Sequence, residues 1–196
     1  MTPQTFLFIG RSGSGKGTQA ALLLEYLKKH DPSRKVLAIE TGAHVRAFIK
    51  DGNGYAADLA RTISGAGGLQ PGFLIAWVWS SVLVRDLGQD MHLMFDGTPR
   101  RLIEAQLLDS VMGFFRREKP HLFFLNVSRE WAREKLIARG RHDDSLEDVE
   151  RRLAWYETEV VPAIGFYHEN ADYVFHNING EQKIEKVHAD IISQTA

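Results

Sequence analysis

A glycine-rich string set between a short apolar run and an amphipathic one constrains this chain more than any other feature. Phe6 to Ile9 reads as a buried strand that Gly10 ends, and Lys16 to His30 carries helical periodicity. The string joining them is Gly10-Arg-Ser-Gly-Ser-Gly-Lys16-Gly-Thr18. Glycines at this density let the backbone bend until successive N–H groups converge on one point. The helix N-terminus that follows adds partial positive charge, and Lys16 adds a full one. A strand–loop–helix cradle of this composition suits the oxygens of a phosphate chain. Loops of this kind usually carry Ser or Thr directly after the lysine to hold Mg2+. Here Gly17 takes that place and Thr18 follows, so a metal must be held another way.

The alternation continues along the chain. Val36 to Ile39, Leu93 to Phe95, Leu122 to Val127 and Tyr173 to Phe175 are apolar runs of strand length, while Arg101 to Glu118, Arg129 to Arg139, Leu146 to Glu169 and Ile184 to Ser193 carry helical patterns. Continuously apolar strands separated by helices predict a parallel sheet covered on both faces, an α/β doubly wound fold. The stretch between the second and third strands shows no strand pattern and holds two glycine clusters, Asp51-Gly-Asn-Gly54 and Gly65-Ala-Gly-Gly68. It reads as a small helical insert able to move against the sheet, or as a pair of ordinary helix–helix turns.

Composition narrows the chemistry. With no cysteine, disulfides, thiolate metal sites and a cysteine nucleophile are excluded. A net charge of −1 argues against a broad field for nucleic acid or an acidic membrane surface. The most apolar stretch, Phe73 to Val84, is too short to span a bilayer and contains Ser80 and Ser81. MTPQTFLFIG lacks the basic start and long apolar core of a signal peptide, which points to a cytoplasmic protein. The histidines show no metal-ligand spacing: His142 and His168 are isolated and His92 opens a strand. Trp77, Trp79, Trp131 and Trp155 lie on helical patterns, where packing is the expected role.

The extended string GSGKGTQ resembles the adenylate kinase family, in which glycine after the lysine is usual, and the resemblance continues in order along nearly the whole chain. Thr41-Gly42 followed by Arg46 looks like the family's first monophosphate-binding segment. Gly68-Leu69-Gln70-Pro71 resembles the segment whose backbone meets the acceptor base, and Asp96-Gly97-Thr98-Pro99-Arg100 is similar to the D-G-[FY]-P-R signature. Arg139, Arg141-His-Asp143-Asp144 and Arg152-Leu153 look like its arginine cluster; Tyr156, Pro162 and Tyr167 fit the long helix that follows; Asn179-Gly180 resembles the donor adenine contact. The resemblance implies a P-loop kinase with a five-stranded parallel sheet flanked by helices. It implies a single domain over residues 1–196, with a core of 1–40 and 88–196, a helical NMP-binding insert at about 41–87 and a minimal lid at 139–142, so that a separate lid is essentially absent.

The activity so implied is that of an ATP-dependent nucleoside monophosphate kinase, with ATP + AMP = 2 ADP the first expectation and Mg2+ accompanying the ATP. Its partners are ATP and a nucleoside monophosphate, with no nucleic acid and no membrane, in a monomer or small homo-oligomer. Carried over residue by residue, Gly13, Ser14, Gly15, Lys16, Gly17, Thr18, Arg139 and Gly180 would bind ATP. Thr41, Gly42, Arg46, Gly68, Leu69, Gln70, Gly97, Arg100, Glu104, Arg141 and Arg152 would bind the monophosphate. Lys16, Arg100, Arg139, Arg141 and Arg152 would carry catalysis, and Asp96 would reach Mg2+ through water. These roles are chemically coherent, because phosphoryl transfer is mostly positioning and charge stabilisation. The planar fork of arginine grips phosphate with two hydrogen bonds. Asp96 ends a strand, where ligands bind in open α/β sheets.

The chain departs from the family pattern in several places. Thr98 stands where an aromatic ring is usual. Glu104 stands where glutamine reads the acceptor adenine. An ionised carboxylate only accepts hydrogen bonds, which suits the N1 and N2 donors of guanine better than the N1 lone pair of adenine. Either Glu104 reads the base, or it points to solvent while backbone groups do so; Gln106, two residues on, is turned to the other side of a helix. Only Gly140 separates Arg139 from Arg141, so the water-excluding lid is missing and ATP hydrolysis without acceptor is an expected consequence. Lys135 stands where many relatives carry arginine. Two other readings remain open: a kinase of a small metabolite on the same loop, which Thr41, Arg46 and DGTPR argue against, and a nucleotide-binding regulatory protein that has lost transfer.

Overall fold

The computed structural model describes residues 2–140 and 145–195. Its helices are α1 (Lys16–His30), α2 (Thr41–Asp51), α3 (Tyr55–Gly65), α4 (Gly72–Asp86), α5 (Leu102–Phe114), α6 (Arg129–Arg139), α7 (Leu146–Trp155), α8 (Val161–Glu169) and α9 (Ile184–Ser193). Strands β1 (Thr5–Gly10), β2 (Val36–Glu40), β3 (His92–Asp96), β4 (His121–Asn126) and β5 (Val174–Asn179) form one parallel sheet in the order β2-β3-β1-β4-β5. The expected α/β fold with five parallel strands is the fold observed.

β1 is buried along its whole length because it lies mid-sheet with helices on both faces. Its side chains alternate as strand geometry requires. Phe6 and Phe8 join Phe123, Leu125 and Met94 under Leu23 and Leu27 of α1 and Val187 and Ile191 of α9. Leu7 and Ile9 join Leu93, Phe95 and Leu122 under α4, α5 and α8. On that second face the Trp79 indole is fully buried and stands edge-on to Phe95, with ring centroids 6.3 Å apart. Register pairs Phe8 with Asp96, Asp96 with Glu40, Gly10 with Leu125 and Asn126 with Asn179, so the strands' carboxyl ends align along one edge.

Three elements differ from their sequence patterns. β5 runs to Asn179 rather than stopping at Phe175, since an edge strand paired with β4 on one side tolerates the polar His-Asn-Ile-Asn run. α5 ends at Phe114, not Glu118. Arg116 adopts φ 52°, and Arg117 turns inward to donate to Thr5 Oγ1 at 2.9 Å and Met91 O at 2.6 Å. The 146–169 pattern is α7 and α8 joined through a π turn at Tyr156–Val160. Pro162 has no N–H to give to the preceding turn, and the register widens just before it. Within 41–87, α4 buries Ala76, Trp79 and Leu83 against the sheet, whereas α2 and α3 bury only Thr41, Val45, Ala57 and Ala60. Among the described residues no helix is long and apolar enough to cross a membrane.

Because Trp79 fills the space between α4 and β3, Trp79→Ala should cost about 3–5 kcal/mol, read as a lower urea midpoint at unchanged m-value.

Candidate functional site

The phosphate loop begins where β1 meets β4. Gly10 adopts φ 144°, and a Cβ there would stand 2.6 Å from the Leu125 carbonyl oxygen, so a side chain is excluded on both counts. The loop then returns past Lys16, whose Nζ donates to Gly10 O at 2.8 Å, Arg11 O at 2.6 Å and Ser14 Oγ at 3.4 Å. Burial lowers the Lys16 pKa to about 8, with Asp96 opposing the shift and Arg100 and Arg139 adding to it. Arg11 anchors the loop from outside. Its guanidinium lies 3.8 Å from the Tyr156 ring centroid, pairs with Glu157 at 2.7 Å and donates to Val127 O at 3.2 Å. The π turn thus presents two consecutive residues to one arginine.

Gly17 explains the missing hydroxyl of the loop. A Cβ on this residue would lie 3.1 Å from Asp96 Oδ2, so the carboxylate that ends β3 occupies the ground a side chain would need. Asp96 thereby sets a carboxylate directly against the phosphate cradle. Among the described residues no group of three His, Cys, Asp or Glu side chains could hold an ion by itself.

At the other end, Arg46 of α2 donates to Glu40 Oε1 at 2.8 Å across the α2 N-terminus. Arg100 donates through Nε to Gly97 O at 3.1 Å. Burial lowers its pKa, Glu104 and Asp96 oppose this, and Arg152 and Arg46 add to it. Glu104 is only 2% exposed, and its Oε2 accepts from the Arg100 backbone N–H at 2.8 Å. The alternative that it points to solvent therefore does not hold: helix α5 turns its third side chain inward. Burial raises the Glu104 pKa, with the Arg100 backbone hydrogen bond opposing. Gln70 uses its side-chain Nε2 on Ala60 O and Ser64 Oγ, both at 2.8 Å, which fixes the end of α3. Its carbonyl accepts from Arg101 Nη1 at 2.6 Å, and Arg101 Nε pairs with Glu159 at 2.9 Å. Thr98 is fully buried and lies outside the cleft lining.

These ends belong to one cleft of about 1590 Å³ along the sheet's carboxyl edge. Every sequence-predicted site residue within the described chain lines it, from Gly13 to Thr18 and Gly180 on one side to Thr41, Gly42, Arg46, Gly68, Leu69, Gln70, Gly97, Arg100 and Glu104 on the other, with Asp96, Arg139 and Arg152. Arg141, with His142, Asp143 and Asp144, lies outside the described residues. α6 ends at Arg139 with Gly140 in the left-handed region. α7 opens on Ser145, whose Oγ accepts from Asp148 N at 3.1 Å and caps the helix. Val127, Ala132, Leu136, Val149 and Leu153 pack these two helices together beneath their arginines.

Some lining residues were not anticipated. Lys50 sits one helical turn after Arg46, a spacing that could have revealed it. Trp131 lines the wall rather than packing only inward, with Lys135 Nζ 4.6 Å from its ring centroid. The tethers Arg11 and Arg101 carried only a weak signal, a charge inside a glycine loop and an arginine doublet.

A glycine-rich phosphate loop on a 2-3-1-4-5 parallel sheet, facing a second bay that Arg46 and Arg100 line, defines a P-loop kinase whose acceptor is itself an anion. The chain matches the adenylate kinase family over residues 8–172. It is 30% identical to an adenylate kinase of Phocaeicola vulgatus over 194 residues, 95% of each chain. It is 31% identical to one of Corynebacterium diphtheriae over 93% of this chain and 94% of that one. A third, from Corynebacterium aurimucosum, is 33% identical over 83% and 84%. The chain belongs to the adenylate kinase family, and is a nucleoside monophosphate kinase, a phosphotransferase.

Gly17→Ala should crowd Asp96 without unfolding the loop. We expect kcat to fall about tenfold, as small displacements at a reacting centre do, with the melting temperature nearly unchanged. Steady-state turnover beside a thermal melt separates the two effects.

Proposed function

We propose that this chain transfers the γ-phosphoryl group of Mg-ATP in line to AMP, giving two ADP. The observation that carries this reading is the gathering, in one cleft, of the phosphate loop with Lys16 and an acceptor bay with Arg46 and Arg100. ATP lies on residues 13–18, where its phosphate oxygens take over the Lys16 donors now given to the Gly10 and Arg11 carbonyls. Arg46 and Arg100 grip the acceptor phosphate. Arg139 and Arg152, with Arg141, spread over the transferring group as its charge moves from donor to acceptor oxygen. An acceptor phosphate is already anionic, so no general base is required.

Bound Mg2+ neutralises charge on the donor phosphates. A single carboxylate, Asp96, with no three-ligand cluster among the described residues, fits an ion that keeps its waters and takes other ligands from phosphate. Asp96 would accept a hydrogen bond from one of those waters.

Glu104 would select the base. Burial raises its pKa, so its carboxyl holds a proton to higher pH than an exposed glutamate does, with Arg100 and Arg101 opposing. A carboxylic acid offers one O–H donor and one carbonyl acceptor, the pair that a glutamine offers to adenine N1 and N6. The ionised form only accepts and favours the N1 and N2 donors of guanine, so GMP is the second reading.

Purified protein with Mg-ATP and each of AMP, GMP, CMP and UMP should give diphosphate fastest from AMP, followed by chromatography beside an acceptor-free control. Arg100→Ala should lose about 100-fold or more of that activity. If no acceptor is phosphorylated while ATP binds, the transfer reading fails and a nucleotide-binding role replaces it.

The Glu104 carboxyl gives a pH test. Raising pH ionises it, so KM for AMP should increase with pH while KM for GMP decreases. Glu104→Gln should flatten the AMP dependence, and an unchanged slope in that variant would remove Glu104 as base reader.

A further inference from the structure

Helices α4 and α5 are apolar on the side that faces water as well as on the side that faces the sheet. α4 buries Leu74, Val78, Trp79 and Leu83, yet exposes Phe73 (75%), Trp77 (53%) and Val84 (78%). α5 buries Leu108 and Met112, yet exposes Ile103 (62%), Leu107 (43%) and Phe114 (79%). The spacing i, i+4, i+11 is the same on both helices and sets each triplet on one stripe. No charged residue occurs from Gly72 to Val84. From Leu102 to Phe114 the only charged residues are Glu104, which is buried, and Asp109, which is half-buried and accepts from Asn170 Nδ2 at 3.3 Å. In a chain with 25% charged residues this is a singular surface. Among the described residues, the other exposed apolar side chains on helices stand among charges, as Ile137 does in α6 and Leu146 in α7. Helices apolar all round are normally covered.

The two stripes form one face. The Ile103 Cγ2 lies 3.5 Å from where a Cβ on Gly72 would be, so the helices start side by side at the sheet's carboxyl edge. α4 leads into β3 and α5 leads out of it, and both run back across the same sheet face. With three aromatics, the six side chains present on the order of 800 Å², about what one partner contributes to a stable interface. That exceeds the apolar patches usual on a monomer.

We propose that this face is the interface of an isologous dimer of this chain. A two-fold axis normal to the face lays the α4–α5 pair across its own copy, Phe and Trp against Phe and Trp. An uncharged face requires an uncharged partner, and the chain itself supplies a matching surface of the required area. Beside Val84 the first charge after the stripe is compensated, Arg85 pairing with Asp86 at 2.7 Å. An anionic bilayer would call for unpaired lysines and arginines beside the apolar stripe, and α4 and α5 carry none before Arg85.

Sedimentation velocity of the full chain from low to high micromolar concentration should show a monomer–dimer equilibrium. Leu107→Asp and Phe114→Asp, both replacing exposed side chains, should each raise the dimer Kd about 30-fold or more while near-UV circular dichroism and the melting profile are kept. Ser110→Cys gives the chain its only thiol; a nitroxide there should show inter-label dipolar coupling that Leu107→Asp abolishes. A chain that stays monomeric at high micromolar concentration overturns the proposal. So does a dimer that survives both aspartates, and so does a monomer that instead binds neutral phosphatidylcholine vesicles.

Discussion

The close approach of Gly10 to the Leu125 carbonyl is the contact on which the rest of the molecule depends. β1 is buried on both faces and paired on both edges, so its end cannot shift. Because Gly10 has no side chain, the backbone leaves the sheet hard against β4 and turns at once into the phosphate loop. The position of Lys16 is thereby set by the packing of Phe6, Leu7, Phe8 and Ile9, none of which lines the main cleft. Site precision is inherited from the core.

Around that fixed loop the structure uses arginines in two ways. Arg46, Arg100, Arg139 and Arg152 line the cleft, while Arg11 and Arg101 turn away from the reacting region and tie it to the helix pair α7–α8. Both tethers end on the π turn, through Tyr156, Glu157 and Glu159. One short segment thus holds the phosphate loop and, through Arg101 and Gln70 O, the loop before α4.

Much of this was legible in the sequence, for physical reasons that differ by element. The five strands were readable because a buried parallel strand is apolar throughout. α1, α6 and α9 had the bounds their amphipathic patterns indicated. The loop, Arg46 and Arg100 were readable as ordered motifs, and their convergence in one cleft follows from strands ending at a common edge. What stayed hidden depends on long-range contact. Glu104 offered no local cue to whether it was buried. The inward turn of Arg117 cut α5 short. The π turn follows from one proline acting on the carbonyls before it. The α4 stripe was visible as a run from Phe73 to Val84, but only the packing of Trp79 and Leu83 reveals that a second apolar side is left outward.

The crowding of Lys16, Arg100, Arg139, Arg152 and Arg46 has a consequence for the life of the protein. Burial is the main cause of the lowered pKa values of Lys16 and Arg100, and the neighbouring arginines add to it: Arg100 and Arg139 for Lys16, Arg152 and Arg46 for Arg100. That mutual repulsion is a cost to the folded chain beside the partners these side chains already have. A nucleotide relieves it, and a ligand at a hundredfold its Kd adds about 2.7 kcal/mol to folding stability. The folded chain would then be harder to unfold with nucleotide in the cleft than without it.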